Sequence, residues 1–166
     1  MVDAMTPWSA FAADAPELAE RVATRFEATG LGFLATVRRD GSPRISGIEP
    51  FIWDGEVWLG MMPGSLKALD VERDPRVALH AATIDKEVKE GDAKLAGRCV
   101  AVTDPERHKA MTAAFLEKTG YDPGAFGDFP LYTLDVTEAV FTRPGENVLV
   151  VESWAPGRGY RRIERG

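Results

Sequence analysis

Sulfur chemistry is almost missing from this sequence: Cys99 is its single cysteine, so no intrachain disulfide can close and no cysteine knuckle can hold a metal. That scarcity fits a reducing compartment, and a cytoplasmic location is expected. Histidine is nearly as sparse, with only His80 and His108, and neither stands in an HExxH or comparable ligand spacing. No metal site is expected. Nowhere do 18 apolar residues run together, and the first twenty residues lack a basic segment followed by an apolar one, so neither a membrane span nor a secretory leader is expected. Positive charge is in deficit: 20 Lys and Arg against 26 Asp and Glu leave a formal net charge of -6, which argues against nucleic acid or anionic lipid as a partner. Internal repeats, a nucleotide-binding GxGxxG and a nucleophile triad are also absent from the sequence.

What remains is the composition of an ordinary globule. With 166 residues, 45% of them hydrophobic and 28% charged, the chain suits one domain over 1–166, with an arm over 1–13 and a basic tail over 155–166. The stretch "DAPELAERVATRFEATG" predicts a helix capped by Asp14, with Leu18, Val22 and Phe26 as its apolar stripe and Gly30 as its stop. The pattern then turns strand-like. Asp40-Gly41 and Asp54-Gly55 divide apolar runs into strands over 32–38, 43–53 and 56–62, since glycine accepts the positive φ of a tight hairpin turn. Pro50 inside the second run marks a bulge or an edge. A short helix, "SLKALDVER", precedes strands "RVALHAAT" and "AKLAGRCVAV". "DPERHKAMTAAFLEKTG" predicts a third helix with Met111 and Phe115 on its apolar side. "LYTLDVTEAVFTR" and "NVLVVESW" close the list of strands. Six or seven hairpin-linked strands with about three peripheral helices give a mainly β, α+β fold, an antiparallel closed or partly closed barrel.

The informative interruption is "GMMPGSLKALDVERDPRVAL", residues 60–79. Gly64 allows a sharp turn, the amides that open the next helix carry partial positive charge, Ser65 offers a hydroxyl and Lys67 an ammonium, the chemistry with which proteins hold phosphate. The same residues also read as a plain serine N-cap followed by an exposed lysine. Local chemistry leaves both readings open.

With "LATVRRDGSPR" at 34–44 and the turn-Ser-x-Lys followed by "ERDPRVAL" at 65–79, the order of elements resembles the pyridoxamine 5'-phosphate oxidase-like superfamily, the FMN-binding split β-barrel flavin and deazaflavin oxidoreductases. The likeness covers roughly residues 15–154. The resemblance implies a homodimer with a cofactor in each interface groove, Arg44, Ser65 and Lys67 on the cofactor phosphate, and Leu59, Gly60, Met61 and Met62 beside its ring. FMN is the cofactor it implies, with coenzyme F-420 as the alternative, and hydride transfer to or from a small molecule as the chemistry. The fused ring system carries that chemistry, so no acid–base residue is required of the protein. Two positions depart from the oxidases proper. Glu49 stands where they place a basic residue, and "APGRGYRRIERG" lacks their Arg-x-His signature, so pyridoxal phosphate is not the expected substrate.

Outside the resemblance, His80 ends an apolar strand, either as a weak catalytic candidate lining the groove or as a polar residue meeting solvent. His108 reads as surface or packing. A non-catalytic carrier of flavin or haem is the alternative of another class. The tail interleaves Arg158, Arg161, Arg162 and Arg165 with Trp154 and Tyr160; it reaches the other subunit's groove to hold an anionic group, or it is a solvated extension.

Overall fold

The computed structural model describes residues 5–166. Strands β1 (Gly32–Val37) and β2 (Pro43–Ile48) form a hairpin whose turn places Gly41 at φ 84° and lets the Asp40 carboxylate accept hydrogen bonds from both the amide and the hydroxyl of Ser42. The chain leaves the ladder at Glu49-Pro50, because proline has no amide to donate, and re-enters as β3 (Phe51–Trp53). The single strand expected over 43–53 is therefore two. Asp54 and Gly55, both at positive φ, turn β3 back into β4 (Glu56–Gly60). Helix α3 (Leu66–Arg73), β5 (Arg76–Ala81), β6 (Asp92–Ala101), helix α4 (Pro105–Thr119) and a 3-10 turn (Pro123–Phe126) lead to β7 (Leu131–Pro144), β8 (Leu149–Ala155) and β9 (Gly159–Arg165).

All pairings are antiparallel, in the order β2-β1-β5-β6-β7-β4-β3, with β8 pairing both β7 and β9. The long β7 is the pivot. Its first residues pair with β4 and its last with β8, so the sheet divides along that strand. Opposite, β6 follows β7 through a bulge at Ala96/Gly97, where a Cβ on Gly97 would come 2.1 Å from the Asp135 carbonyl. The bulge adds the local twist a curved sheet requires.

Inside, Leu34, Val57, Leu59, Leu79, Leu95, Leu134 and Val136 are fully buried, and α2 (Pro16–Thr29) lays Leu18, Val22 and Phe26 onto the same cluster from above β6 and β7. Each such side chain contributes about 1.5–3 kcal/mol of burial. A second cluster of Phe51, Trp58, Met111 and Leu131 seats α4 against β3 and β4.

The terminal segments differ from expectation. Residues 8–14 form a helix, α1 (Trp8–Asp14), that buries Trp8 and Phe11, where the sequence reads as a loose arm. Asp14 ends α1 instead of capping α2. Its carboxylate accepts the indole N–H of Trp154 at 2.6 Å, and α2 opens on Pro16 with no side-chain cap at all. The basic tail is strand β9, paired with β8 from Leu149↔Arg165 to Ala155↔Gly159. Four α-helices and nine strands are present among the described residues, against three and six or seven expected.

Candidate cofactor site

The junction of β2 and α3 is built around a buried carboxylate. Asp70 lies on the inward side of α3 with Ala68 and Val71. Its Oδ2 accepts the Thr36 hydroxyl at 2.8 Å and Arg44 Nε at 2.7 Å, while Oδ1 receives Arg73 Nη2 at 3.2 Å. Arg73 also donates to the Val37 carbonyl. Burial pushes the Asp70 carboxyl up, but the hydrogen bonds from Arg44, Thr36 and Arg73 outweigh it and hold the group at about 2. Thr36 and Arg44 face each other across the β1–β2 ladder, so the pairing register itself delivers donor and cation to one acceptor.

Lys67 reaches the other way along β2, donating from Nζ to the Gly47 carbonyl at 2.7 Å. Burial lowers its pKa, opposed by the negative charge of Glu49. Ser65 is the N-cap of α3, its Oγ accepting from the Ala68 amide at 3.4 Å. Gly64, at φ 67°, makes the turn that brings this cap up to the end of the broken strand. Arg44, Ser65 and Lys67 thus sit on one junction, tied down by Asp70, the helix start and Gly47. Arg44 uses only Nε internally, and among the described residues neither Nη makes a hydrogen bond. Lys67 retains two ammonium protons beyond its bond to Gly47.

Residues 59–62 run from the ladder into the turn. Leu59 and Gly60 pair with Tyr132 and Leu131, and the Met61 amide donates to the Pro130 carbonyl at 3.0 Å. Leu59 and Met61 point into the core, whereas Met62 is 65% exposed. Gly60 lies against the Phe129 ring, which a Cβ would approach to 3.2 Å. Beside this segment opens a cavity of about 150 Å³ walled largely by apolar side chains, with Gly60, Met61 and Met62 on one side and α4 on the other.

His80 stands apart, on β5, with Nδ1 2.6 Å from the Ala81 carbonyl, in a shallow depression with Phe33, Ile45 and Lys94. His108 packs on Phe129, its Nε2 3.0 Å from the Phe129 carbonyl. In the tail, Tyr160 donates to Glu152 at 2.7 Å and Arg162 pairs with Glu164, so β9 is engaged with its own hairpin. Among the described residues no group of three or more His, Cys, Asp or Glu converges to hold a metal ion, and no helix is long and apolar enough to cross a membrane.

The sequence matches the Pyridoxamine 5'-phosphate oxidase family over residues 18–143. The chain belongs to that family. No protein of curated function matches it. Among solved structures, a conserved hypothetical protein from Mycobacterium tuberculosis is similar at 24% identity and TM-score 0.59, over 70% of this chain and 79% of that one. PhzG from Burkholderia lata, solved with tetrahydrophenazine-1-carboxylic acid, is similar over 98% of both chains at 16% identity and TM-score 0.63. HutZ, a heme storage protein from Vibrio cholerae, is similar over 74% of this chain and 89% of its own at 21% identity and TM-score 0.60. At these identities the likeness is one of fold: the antiparallel split barrel of the oxidase family.

Within that family frame, sequence reasoning selected Arg44, Ser65 and Lys67 but missed Asp70, Thr36 and Arg73, which fix the position of Arg44. One signal was available. Asp70 interrupts the inward stripe of a short helix between Ala68 and Val71, three residues before an arginine, and a carboxylate there must find cationic partners.

Proposed function

We propose that the chain is a flavin-dependent oxidoreductase in which two copies hold FMN in grooves at their shared interface and hydride passes to or from a small molecule. The observation that carries this reading is the pair of anchored cations, Arg44 and Lys67, whose remaining donors make no hydrogen bond among the described residues at the junction of β2 and α3. FMN, when bound, supplies the two-electron acceptor. Arg44 and Lys67 would neutralise its phosphate through charge-assisted hydrogen bonds, with Ser65 adding a hydroxyl. Asp70 keeps the guanidinium from swinging into water, so little ordering remains to be done on binding. Residues 59–62 would border the ring, and the buried side chains of Leu59 and Met61 exclude water beneath it.

The outer face of β1 and β2 supports a second copy. Phe33 is 50% exposed and Ile45 73% exposed on neighbouring strands, an apolar face that a homodimer would cover. A second reading, a haem carrier without turnover, is favoured by one observation: a carbonyl partner on His80 Nδ1 leaves Nε2 as the available ligand atom, as in many metal-binding histidines.

Equilibrium dialysis of the purified chain against FMN, coenzyme F-420 and haem separates these readings. Retention of one FMN per chain, reducible by a nicotinamide donor and reoxidised by an acceptor panel, is the expected result. Retention of F-420 in its place would move the same chemistry to a deazaflavin. Haem retained through His80, with neither flavin held, would replace the oxidoreductase reading.

A further inference from the structure

The cavity beside residues 60–62 has a chemistry of its own. Phe51, Trp58, Phe115 and Phe129 form its walls, Tyr121 adds a phenol, and among the described residues Glu49 at the rim is the only charged side chain lining it. Its volume of about 150 Å³ equals that of a cavity able to take a single benzene ring. A tricyclic coenzyme ring is too large to enter it whole. The cations nearest its walls are already paired: Arg107 lies over Trp58 and 3.5 Å from Glu56, and Lys118 lies over Phe51 and 3.6 Å from Glu27. Lys67 feels the charge of Glu49, but its ammonium is bonded to the Gly47 carbonyl and it does not line the cavity. The sign of the pocket is therefore set by Glu49, and its faces by aromatic rings that stack on flat groups and attract cations.

We propose that this cavity is the pocket for the second substrate and that it selects a small planar ring bearing a positive charge or an N–H donor, through Glu49, over rings bearing phosphate or carboxylate. Calling the occupant a substrate rests on the oxidoreductase reading; the pocket's preference does not. An anionic ring entering here meets like charge at the rim and loses hydration against apolar walls with no cation to replace it. A cationic ring meets a carboxylate at the rim and π-faces behind it.

Benzamidinium, benzamide and benzoate share one ring and differ in charge, and their binding to the full chain by calorimetry and saturation-transfer NMR is the test. Benzamidinium is expected to bind at least tenfold more tightly than benzoate, with benzamide between them. Glu49→Gln, an exposed change that leaves the core intact, should bring benzamidinium to within threefold of benzamide, while benzamide, whose N–H groups the glutamine oxygen still accepts, changes less than threefold. Phe115→Ala should weaken both. Benzoate binding as well as benzamidinium, a preference that survives Glu49→Gln, or no binding of any probe at millimolar concentration would overturn the proposal. A chain that retains FMN yet shows no preference sinks only the pocket, and one that shows the preference yet retains no FMN sinks only the flavin reading.

Discussion

Replacing Asp70 by asparagine keeps the shape of the side chain and removes the charge on which Thr36, Arg44 and Arg73 converge. In the folded chain the carboxyl is held at about 2 against an ordinary 3.8, a difference that amounts to roughly 2 kcal/mol of stability. The sign follows from the direction. A depressed carboxylate stabilises the fold at every pH above its ordinary value, and the contribution fades as pH falls from about 5 towards 2. Breaking a fully buried ion pair costs about 3–5 kcal/mol, but the Arg44 and Arg73 side chains are 20% and 35% exposed, so water takes over part of their solvation. Asp70→Asn should therefore lower stability at pH 7 by about 2 kcal/mol, or about 4–8 °C in Tm for a domain of this size. Urea unfolding of both proteins at pH 7 and near pH 2 reads the gap directly: it should be full at the first and nearly closed at the second. An equal gap at both, or one below about 0.5 kcal/mol at pH 7, would refute the assignment of Asp70 as the hub of the junction.

Arg44→Ala and Lys67→Ala should each weaken FMN binding by about 1.5–3 kcal/mol in calorimetry, and unchanged affinity in both would remove them from the phosphate site. Burial pushes the Cys99 thiol up to about 12, so the native protein should resist thiol reagents at pH 8 and react promptly once unfolded; fast native labelling would contradict that burial. Gly97→Ala forces a Cβ against the Asp135 carbonyl at the bulge and should cost about 1–3 kcal/mol in thermal or urea unfolding, with no loss meaning that the bulge relaxes freely.

Where local chemistry and tertiary packing agree, the fold was legible. Helix α4 begins at Asp104 and Pro105 and ends at Gly120, as its residues predict, because the capping carboxylate and the left-handed glycine act within a few residues of themselves. The β1–β2 and β3–β4 turns are equally local. Helix α1 was not legible, since its seven residues carry no side-chain cap and are held by burying Trp8 and Phe11 against distant strands. Strand β9 was hidden for a related reason: "GYRRIER" is largely exposed, and only its pairing with β8 makes it a strand. Asp14 looked like a cap because capping is a nearby option for any aspartate, yet an indole 140 positions away claims it. In the site, cations beside a glycine turn could be picked out by type and spacing. The carboxylate that positions Arg44 could not, because the contact joins residues 26 apart, one on a strand and the other on the helix packed against its neighbouring strand.

The most direct test of the account is a crystal structure of the full chain grown with FMN. It should show two copies sharing each groove, with the phosphate against Arg44, Ser65 and Lys67 and the ring along residues 59–62. A phosphate bound elsewhere, or Arg44 and Lys67 unchanged and turned away from a bound flavin, would contradict it.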